Sequence, residues 1–235
     1  MPVTPDIDYF ALRQVAAEDY RNYRLPNYIR NRLPVTKDSV VVDFGCGFGH
    51  ILRALRALAY SNLVGIDVDS NALDVCSADG FNVIDNRREG ALDPLVGKVD
   101  FVIASHVIEH FPKPQIIPRL RAIRRLLSPR GSLLVVAPNA QSYTGCYWAY
   151  EDFTHEYLFT SGSLYFVLQA AGFSQVEFVD VECLEDASFL KRGVRRSLLS
   201  IYRANYWFWS KVTASATHAQ SPNVFSYEVK AIART

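Results

Sequence analysis

Two short segments of this 235-residue chain place histidines beside carboxylates. His106, Glu109 and His110 fall within about one helical turn, and Asp152 precedes His155 by three residues. Imidazole titrates near neutral pH, so histidine is the natural general base for a hydroxyl group. We predict that His155 is a catalytic base, that Asp152 orients it and that His106 belongs to the same catalytic cleft; surface histidines without a role are the alternative.

The same spacing suits a second chemistry. Side chains at positions i, i+3 and i+4 of a helix face the same way, so His106, Glu109 and His110 could hold a divalent metal together with His155. A Glu-His pair also occurs where it merely lines a cleft, and short motifs of this kind often match by chance. We therefore assign no metal ligand from the sequence.

A glycine-rich segment from Val40 to His50 is the other feature with chemical meaning. Its sequence, Val-Val-Val-Asp-Phe-Gly-Cys-Gly-Phe-Gly-His, predicts a buried strand that breaks into a tight loop and then opens a helix. Gly45, Gly47 and Gly49 would let the backbone pass close to a ligand. The spacing differs from the G-x-G-x-x-G loop that receives a pyrophosphate, and Asp43 suits a cationic amino group better than a phosphate.

A second acid stands at the end of the next predicted strand, which begins at Leu63. Asp67 follows the glycines by about twenty residues, the distance at which such folds hold a ribose diol. On these residues the sequence resembles the class I S-adenosylmethionine-dependent methyltransferases. Phe-Gly-Cys-Gly-Phe-Gly, with Asp43 before it and Asp67 after it, matches their first two motifs.

The resemblance implies S-adenosylmethionine as the cofactor and S-adenosylhomocysteine as its product. It implies a cofactor site at the carboxyl ends of the first four strands, formed by Asp43, Gly45, Cys46, Gly47, Gly49, Asp67, Val68, Asp85, Asn86 and Ser105. Asp85 could instead cap a turn. The passage from Asp100 to Asn139 is similar to family members that act on small molecules and glycans, and Asp152 to Leu164 is similar to bacterial members associated with surface-polysaccharide synthesis.

Strands alternate with helices along the chain, which predicts an α/β fold with a doubly wound, mostly parallel sheet. The resemblance implies the seven-stranded, Rossmann-like methyltransferase fold with an antiparallel last strand. We expect a single domain over 1–235. Its parts are an N-terminal helical cap (1–38), a cofactor-binding core (39–183) with an aromatic lid loop (140–162), an insertion (184–224) and the last strand (225–235).

Arginines alternate with an aromatic cluster in residues 190–212, inside the insertion. Such a segment could make a peripheral contact with an anionic membrane, bind an acidic, lipid-linked substrate, pack on its own domain or form a dimer interface. The sequence does not decide among these possibilities, and it leaves the oligomeric state open.

Charge and composition limit the classes of partner and the cellular locations that we expect. The net charge of +1 gives no support for a nucleic-acid partner, and the four scattered cysteines lack the spacing of a zinc site. No window approaches the length of apolar sequence that spans a bilayer, and the first residues do not resemble a signal peptide. We expect a cytoplasmic protein, with the inner face of the membrane as a second location.

These features together predict O-methylation of a sugar-containing or other small-molecule acceptor. Two alternatives stay open. One is methylation of a quinone or lipid ring at the membrane surface, and the other is a protein that binds the cofactor without catalysis.

Overall fold

The computed structural model describes residues 10, 13–20, 23–216 and 221–235. A seven-stranded sheet with strand order 3-2-1-4-5-7-6 lies at its centre. Its strands are β1 (Val41–Phe44), β2 (Leu63–Asp67), β3 (Asn82–Asp85), β4 (Val99–Ser105), β5 (Leu127–Pro138), β6 (Gln175–Phe178) and β7 (Glu228–Arg234). The first five strands pair in parallel, and β7 runs antiparallel between β5 and β6. The predicted Rossmann-like methyltransferase fold is confirmed, including its antiparallel last strand.

Helices connect the strands on both sides of the sheet. The α-helices are α1 (Asn27–Arg30), α2 (His50–Ala57), α3 (Ser70–Ala78), α4 (Ile116–Leu126), α5 (Gly145–Glu151), α6 (Ser161–Ala170) and α7 (Phe189–Val212). Short 3₁₀ turns cover Ala17–Tyr20, Asp93–Leu95, Ile108–His110 and Lys113–Gln115. Of the predicted N-terminal cap, residues 1–9, 11–12 and 21–22 lie outside the described residues.

Successive side chains of β1 belong to two different cores, because side chains alternate across a strand. Val42 belongs to the core that includes Leu120 of α4 and Leu168 of α6, whereas Val41 belongs to the core that includes Leu52 of α2. Both faces of the sheet are therefore covered, which explains why the central strands read as nearly continuous apolar runs. The carboxyl ends of the parallel strands meet along one edge, where a ligand site forms in such sheets.

The predicted lid loop differs from the structure in two ways. Residues 140–162, predicted as a lid loop, contain helix α5. Its Tyr147 and Tyr150 are exposed, so the apolar residues of this segment do not follow the spacing by which a helix is recognised in a sequence. The end of this segment also belongs to α6, because the Thr160 and Ser163 side chains each accept from the other's backbone nitrogen and so cap that helix. The lid is thus a helix flanked by two loops.

Most of the predicted insertion is one helix, α7, 24 residues long. Residues 217–220 of the insertion lie outside the described residues. Within the described part of the chain, no helix combines the length and the apolarity needed to cross a membrane.

Candidate functional site

The glycine loop between β1 and α2 requires its glycines. Gly45, Gly47 and Gly49 have φ angles of 79°, 48° and 77°, a region that residues with side chains rarely adopt. A Cβ atom on Gly45 would collide with the Val107 side chain, and one on Gly49 would lie 2.7 Å from the Cys76 sulfur. The loop therefore lies so close to Val107, just after β4, and to α3 that only glycine fits at these two positions.

Asp43, next to the last residue of β1, is a buried carboxylate with one unpartnered oxygen among the described residues. The residue is 1% exposed, and its Oδ2 atom has no hydrogen-bond partner among the described residues. Burial raises the pKa of Asp43 well above its usual value, and the nearby charge of Asp67 adds to the effect. A buried carboxylate of this kind is stabilised by a cationic ligand group.

Asp67, at the end of β2, holds the glycine loop in place. Its Oδ2 atom accepts a hydrogen bond from the Gly47 nitrogen at 2.7 Å, and its Oδ1 atom accepts from the nitrogens of Val68 and Asp69 at 2.7 and 3.0 Å. Since a carboxylate offers about four acceptor positions, Oδ2 has room for a further donor such as a ligand hydroxyl. Val68 is 43% exposed beside it, while Cys46 is fully buried beneath the loop.

The remaining predicted cofactor residues stand at the ends of β3 and β4. The Asp85 carboxylate accepts from the Arg87 backbone nitrogen at 3.0 Å and pairs with its guanidinium at 2.8 and 2.9 Å. These hydrogen bonds lower the pKa of Asp85 and match its alternative role as the cap of a turn. The Asn86 nitrogen donates to the Asp67 carbonyl at 2.9 Å, and Ser105 lies opposite Val136 of β5.

The N-terminal segment covers the glycine loop and reaches the lid. The Phe10 ring lies 4.4 Å from the Phe48 ring, and the Tyr20 ring stacks on His50 at 4.6 Å. An ion pair of 2.9 Å joins Arg13 to Asp152. Cap, glycine loop and lid therefore enclose one region at the carboxyl edge of the sheet.

His106 follows β4 with an unusual backbone angle and two acidic neighbours. Its φ of 55° turns it out of the strand, and its ring nitrogens lie 2.9 Å from Glu228 and 3.3 Å from Glu109. Partial burial opposes the charged form, but the two carboxylates outweigh it and raise the pKa of His106 to about 10. His106 is therefore an imidazolium near neutral pH and does not serve as a proton acceptor there.

Sequence reasoning missed the residues that hold His106. Glu228 and Lys230 are both buried in β7, with Lys230 Nζ lying 3.2 Å from Glu228 and 3.2 Å from Asp180. A signal was present, because two charged residues occupy alternate positions at the start of a strand that continues with three apolar residues. Their partners depend on β7 lying inside the sheet, which the signal does not give.

His155 is oriented by the backbone of the lid rather than by Asp152. Its Nδ1 atom donates to the Trp148 carbonyl at 2.6 Å, while Asp152 Oδ2 stands 3.9 Å from Nε2. Asp152 instead accepts hydrogen bonds from the backbone nitrogen and hydroxyl of Thr154, at 3.0 and 2.6 Å. Since Nδ1 carries the proton, the lone pair of the neutral His155 ring is on Nε2.

The His110 ring packs against the His155 ring, with ring centroids 4.8 Å apart. Burial lowers the pKa of His110, which favours its neutral form. Glu109, between His106 and His110 in space as in sequence, is fully buried. One ligand-type atom from each of Glu109, His110 and His155 lies within 4.8 Å of the others. The structure thus brings two imidazoles and a buried carboxylate together under the lid.

Comparison with known proteins gives one family and many structural neighbours. A family model described as a methyltransferase domain matches residues 16–177. An S-adenosylmethionine-dependent methyltransferase from Archaeoglobus fulgidus is 21% identical over 97% of this chain and 100% of its own, with a TM-score of 0.66. One from Mesorhizobium loti is 18% identical over 94% of this chain and 98% of its own, with a TM-score of 0.58.

A third neighbour was solved with two small molecules bound. This N-methyltransferase from Haemonchus contortus, in complex with phosphomonomethylethanolamine and S-adenosylhomocysteine, is 14% identical, with a TM-score of 0.61. The match covers 100% of this chain and 61% of that one. At these identities the likeness concerns the fold.

Proposed function

Because the chain belongs to the methyltransferase domain family, we propose that it transfers a methyl group from S-adenosylmethionine to a hydroxyl oxygen of a sugar-containing or other small-molecule acceptor. The observation that carries the choice of oxygen is the pair of packed imidazoles, His110 and His155, under the lid. A hydroxyl must lose its proton as its oxygen is methylated, so it requires a proton acceptor at this point.

The residues at the carboxyl edge suit S-adenosylmethionine, the cofactor of the methyl transfer. Asp43 offers a buried, unpartnered carboxylate oxygen to the cationic amino group. Asp67 offers Oδ2 to a ribose hydroxyl, and the exposed Val68 offers an apolar contact to the adenine. Gly45, Gly47 and Gly49 allow the positive φ angles by which the loop turns at the carboxyl edge of the sheet.

S-adenosylmethionine supplies a methyl carbon that its sulfonium already activates, so most of the catalysis is positioning. The acceptor oxygen forms the new C–O bond with its lone pair, while the C–S bond breaks and its electrons remain on sulfur. The acceptor's proton is taken up under the lid, where Nε2 of His155 carries the available lone pair. The Trp148 carbonyl accepts a hydrogen bond from Nδ1 and so holds the His155 ring in the tautomer whose lone pair is on Nε2.

The aromatic side chains of the lid favour the proposal of a ring-shaped acceptor. Tyr143, Tyr147, Tyr150 and Phe153 are all exposed aromatic residues within 140–162. Their rings offer flat apolar surfaces, with a hydroxyl on three of them, which suits the mixed polar and apolar faces of a sugar.

Acceptor screening tests this function. The purified protein would be incubated with methyl-labelled S-adenosylmethionine and a panel of nucleotide-linked and lipid-linked sugars, quinones and small amines, and products would be located by mass spectrometry and NMR. We expect labelled methyl on oxygen. Transfer only to nitrogen or carbon would overturn the choice of acceptor atom, and cofactor binding without any transfer would favour the non-catalytic alternative.

A second proposal concerns the surface of α7. Six large apolar side chains follow one another along this helix, each between 55% and 77% exposed: Leu190, Val194, Leu198, Ile201, Phe208 and Val212. The opposite side contacts the domain, since Tyr202 stacks on Tyr143 at 4.0 Å and Tyr206 packs on Phe225. The apolar stripe therefore faces away from the protein's own core.

We propose that this stripe contacts an anionic membrane surface. The helix carries six basic and no acidic residues, a charge that matches the negative inner leaflet. A membrane-bound enzyme would meet a lipid-linked sugar or, as the alternative, a quinone or other lipid ring. The acceptor panel above distinguishes these two substrates.

A further inference from the structure

We propose that Glu109, His110 and His155 hold a divalent first-row metal ion such as Zn²⁺ and leave a coordination position for the acceptor oxygen. The role given to that position rests on the proposed function, whereas the binding of the ion does not.

The Glu109 carboxylate is the first reason. Its side chain is fully buried, and neither of its oxygens accepts a hydrogen bond from the described residues. The charge contact with His106, at 3.3 Å, involves Oε1. A buried carboxylate is costly unless its oxygens are satisfied, so a cation bound at Oε2 would remove a large desolvation penalty.

The tautomers of the two histidines are the second reason. His110 Nδ1 lies 2.9 Å from Thr154 Oγ1 and 3.3 Å from the Thr154 carbonyl, which can only accept. The Thr154 hydroxyl itself donates to Asp152 at 2.6 Å, so Nδ1 of His110 must be the donor. With His155 Nδ1 donating to the Trp148 carbonyl, Nε2 is in both rings the nitrogen that can offer a lone pair to an ion. Hydrogen bonds of this kind orient the imidazole ligands of metal sites.

The backbone brings the three ligands together. The nitrogens of Glu156 and Tyr157 donate to the Glu109 carbonyl at 2.8 and 3.2 Å, which fastens the lid to the 3₁₀ turn Ile108–His110. Metal bonds of about 2.1 Å would set the ligand atoms roughly 3.4 Å apart, so atoms now within 4.8 Å need to move by only about 1 Å.

The cluster is also close to the methyl-transfer region. Val107, two residues before Glu109, packs directly on Gly45 of the glycine loop. Two imidazoles and a carboxylate suit divalent transition ions, and three protein ligands leave a position open. A hydroxyl bound there loses its proton more readily, the proton passing to water. Coordination would use the Nε2 lone pair of His155, so this residue would act through the ion instead of as the base.

Metal binding by the full-length protein tests the inference directly. Chelator-treated protein would be dialysed against Zn²⁺, and bound metal measured by mass spectrometry, with Co²⁺ absorption as a report of the ligand geometry. We expect one equivalent per chain in the wild type and in Cys146→Ser, which removes an exposed cysteine outside the cluster. Glu109→Gln and His155→Gln should each lower the affinity at least tenfold, and Thr154→Val by about tenfold.

Calorimetry of S-adenosylhomocysteine binding would confirm that each variant is folded. A wild type that binds no metal, or affinity unchanged in both Glu109→Gln and His155→Gln, would overturn the metal site and favour Glu109 as a structural partner of His106. O-methylation that persists in metal-free protein would overturn the role of the ion in the reaction while leaving the proposed function intact. Metal binding together with N-methylation would support the metal site and overturn the choice of oxygen as the acceptor atom.

Discussion

Asp67 and Gly47 are joined by a hydrogen bond of 2.7 Å from the glycine's backbone nitrogen to the carboxylate. The bond connects the end of β2 to the middle of the loop that follows β1. The acid expected to bind the cofactor's ribose therefore also fixes the loop around it. Changes at either residue should act on cofactor binding before they act on folding.

Gly47→Ala should weaken S-adenosylhomocysteine binding at least tenfold. The new Cβ would lie 3.3 Å from Phe10, at a φ of 48°. Gly80→Ala is a matched control, because Gly80 also has a positive φ, of 77°, but has no atom within 4 Å of the added Cβ. Both variants carry a backbone penalty of about 1 kcal/mol, whereas calorimetry should detect lost affinity only for Gly47→Ala. Equal affinities would remove the loop from the binding site.

His155→Ala should lower turnover by about 10²-fold or more while cofactor affinity stays near the wild-type value. The reason is that Nε2 acts on the acceptor, either as the base or through a bound ion. The measurement compares kcat with the affinity for S-adenosylhomocysteine, using an acceptor found in the screen. A variant as active as the wild type would end the assignment.

His50 should make the protein less stable in mild acid. Burial, with a smaller contribution from the Arg53 charge, lowers its pKa from 6.5 to about 4. Between these values the unfolded chain binds the proton that the folded chain excludes, so stability falls as the pH falls from about 6.5 to about 4.

The expected loss at pH 5 relative to pH 7 is about 2 kcal/mol from this residue. Urea unfolding of the wild type and His50→Gln at both pH values measures it, because the variant lacks this titration and should lose less stability. Parallel losses in the two proteins would mean that His50 does not report the buried environment seen here.

Ile201→Asp should abolish association with anionic vesicles, because it places a charge in the exposed apolar stripe of α7. Ser200→Asp, the neighbouring residue off the stripe and also exposed, adds the same charge and should retain most of the binding. Sedimentation with phosphatidylglycerol and phosphatidylcholine vesicles separates the two. A wild type that never sediments, or a dimer in light scattering that Ile201→Asp dissociates, would assign the stripe to another partner.

Local sequence determined the geometry of the proposed cofactor half of the site. The β-branched run before Asp43, the alternating glycines and the acid at the end of β2 are each short-range patterns. Asp69 caps α3 by accepting from the Ala72 nitrogen, as residue type predicts. Such features follow from backbone sterics and hydrogen bonds between neighbours, which a sequence displays directly.

The geometry of the proposed acceptor half was decided by tertiary structure. Glu228 lies beside His106 although 122 residues separate them, because β7 inserts between β5 and β6. The tautomers of His110 and His155 depend on Thr154 and Trp148, and the charge of His106 depends on two buried carboxylates. Proton positions and charges follow from burial and from partners across the fold, and a residue pattern encodes neither.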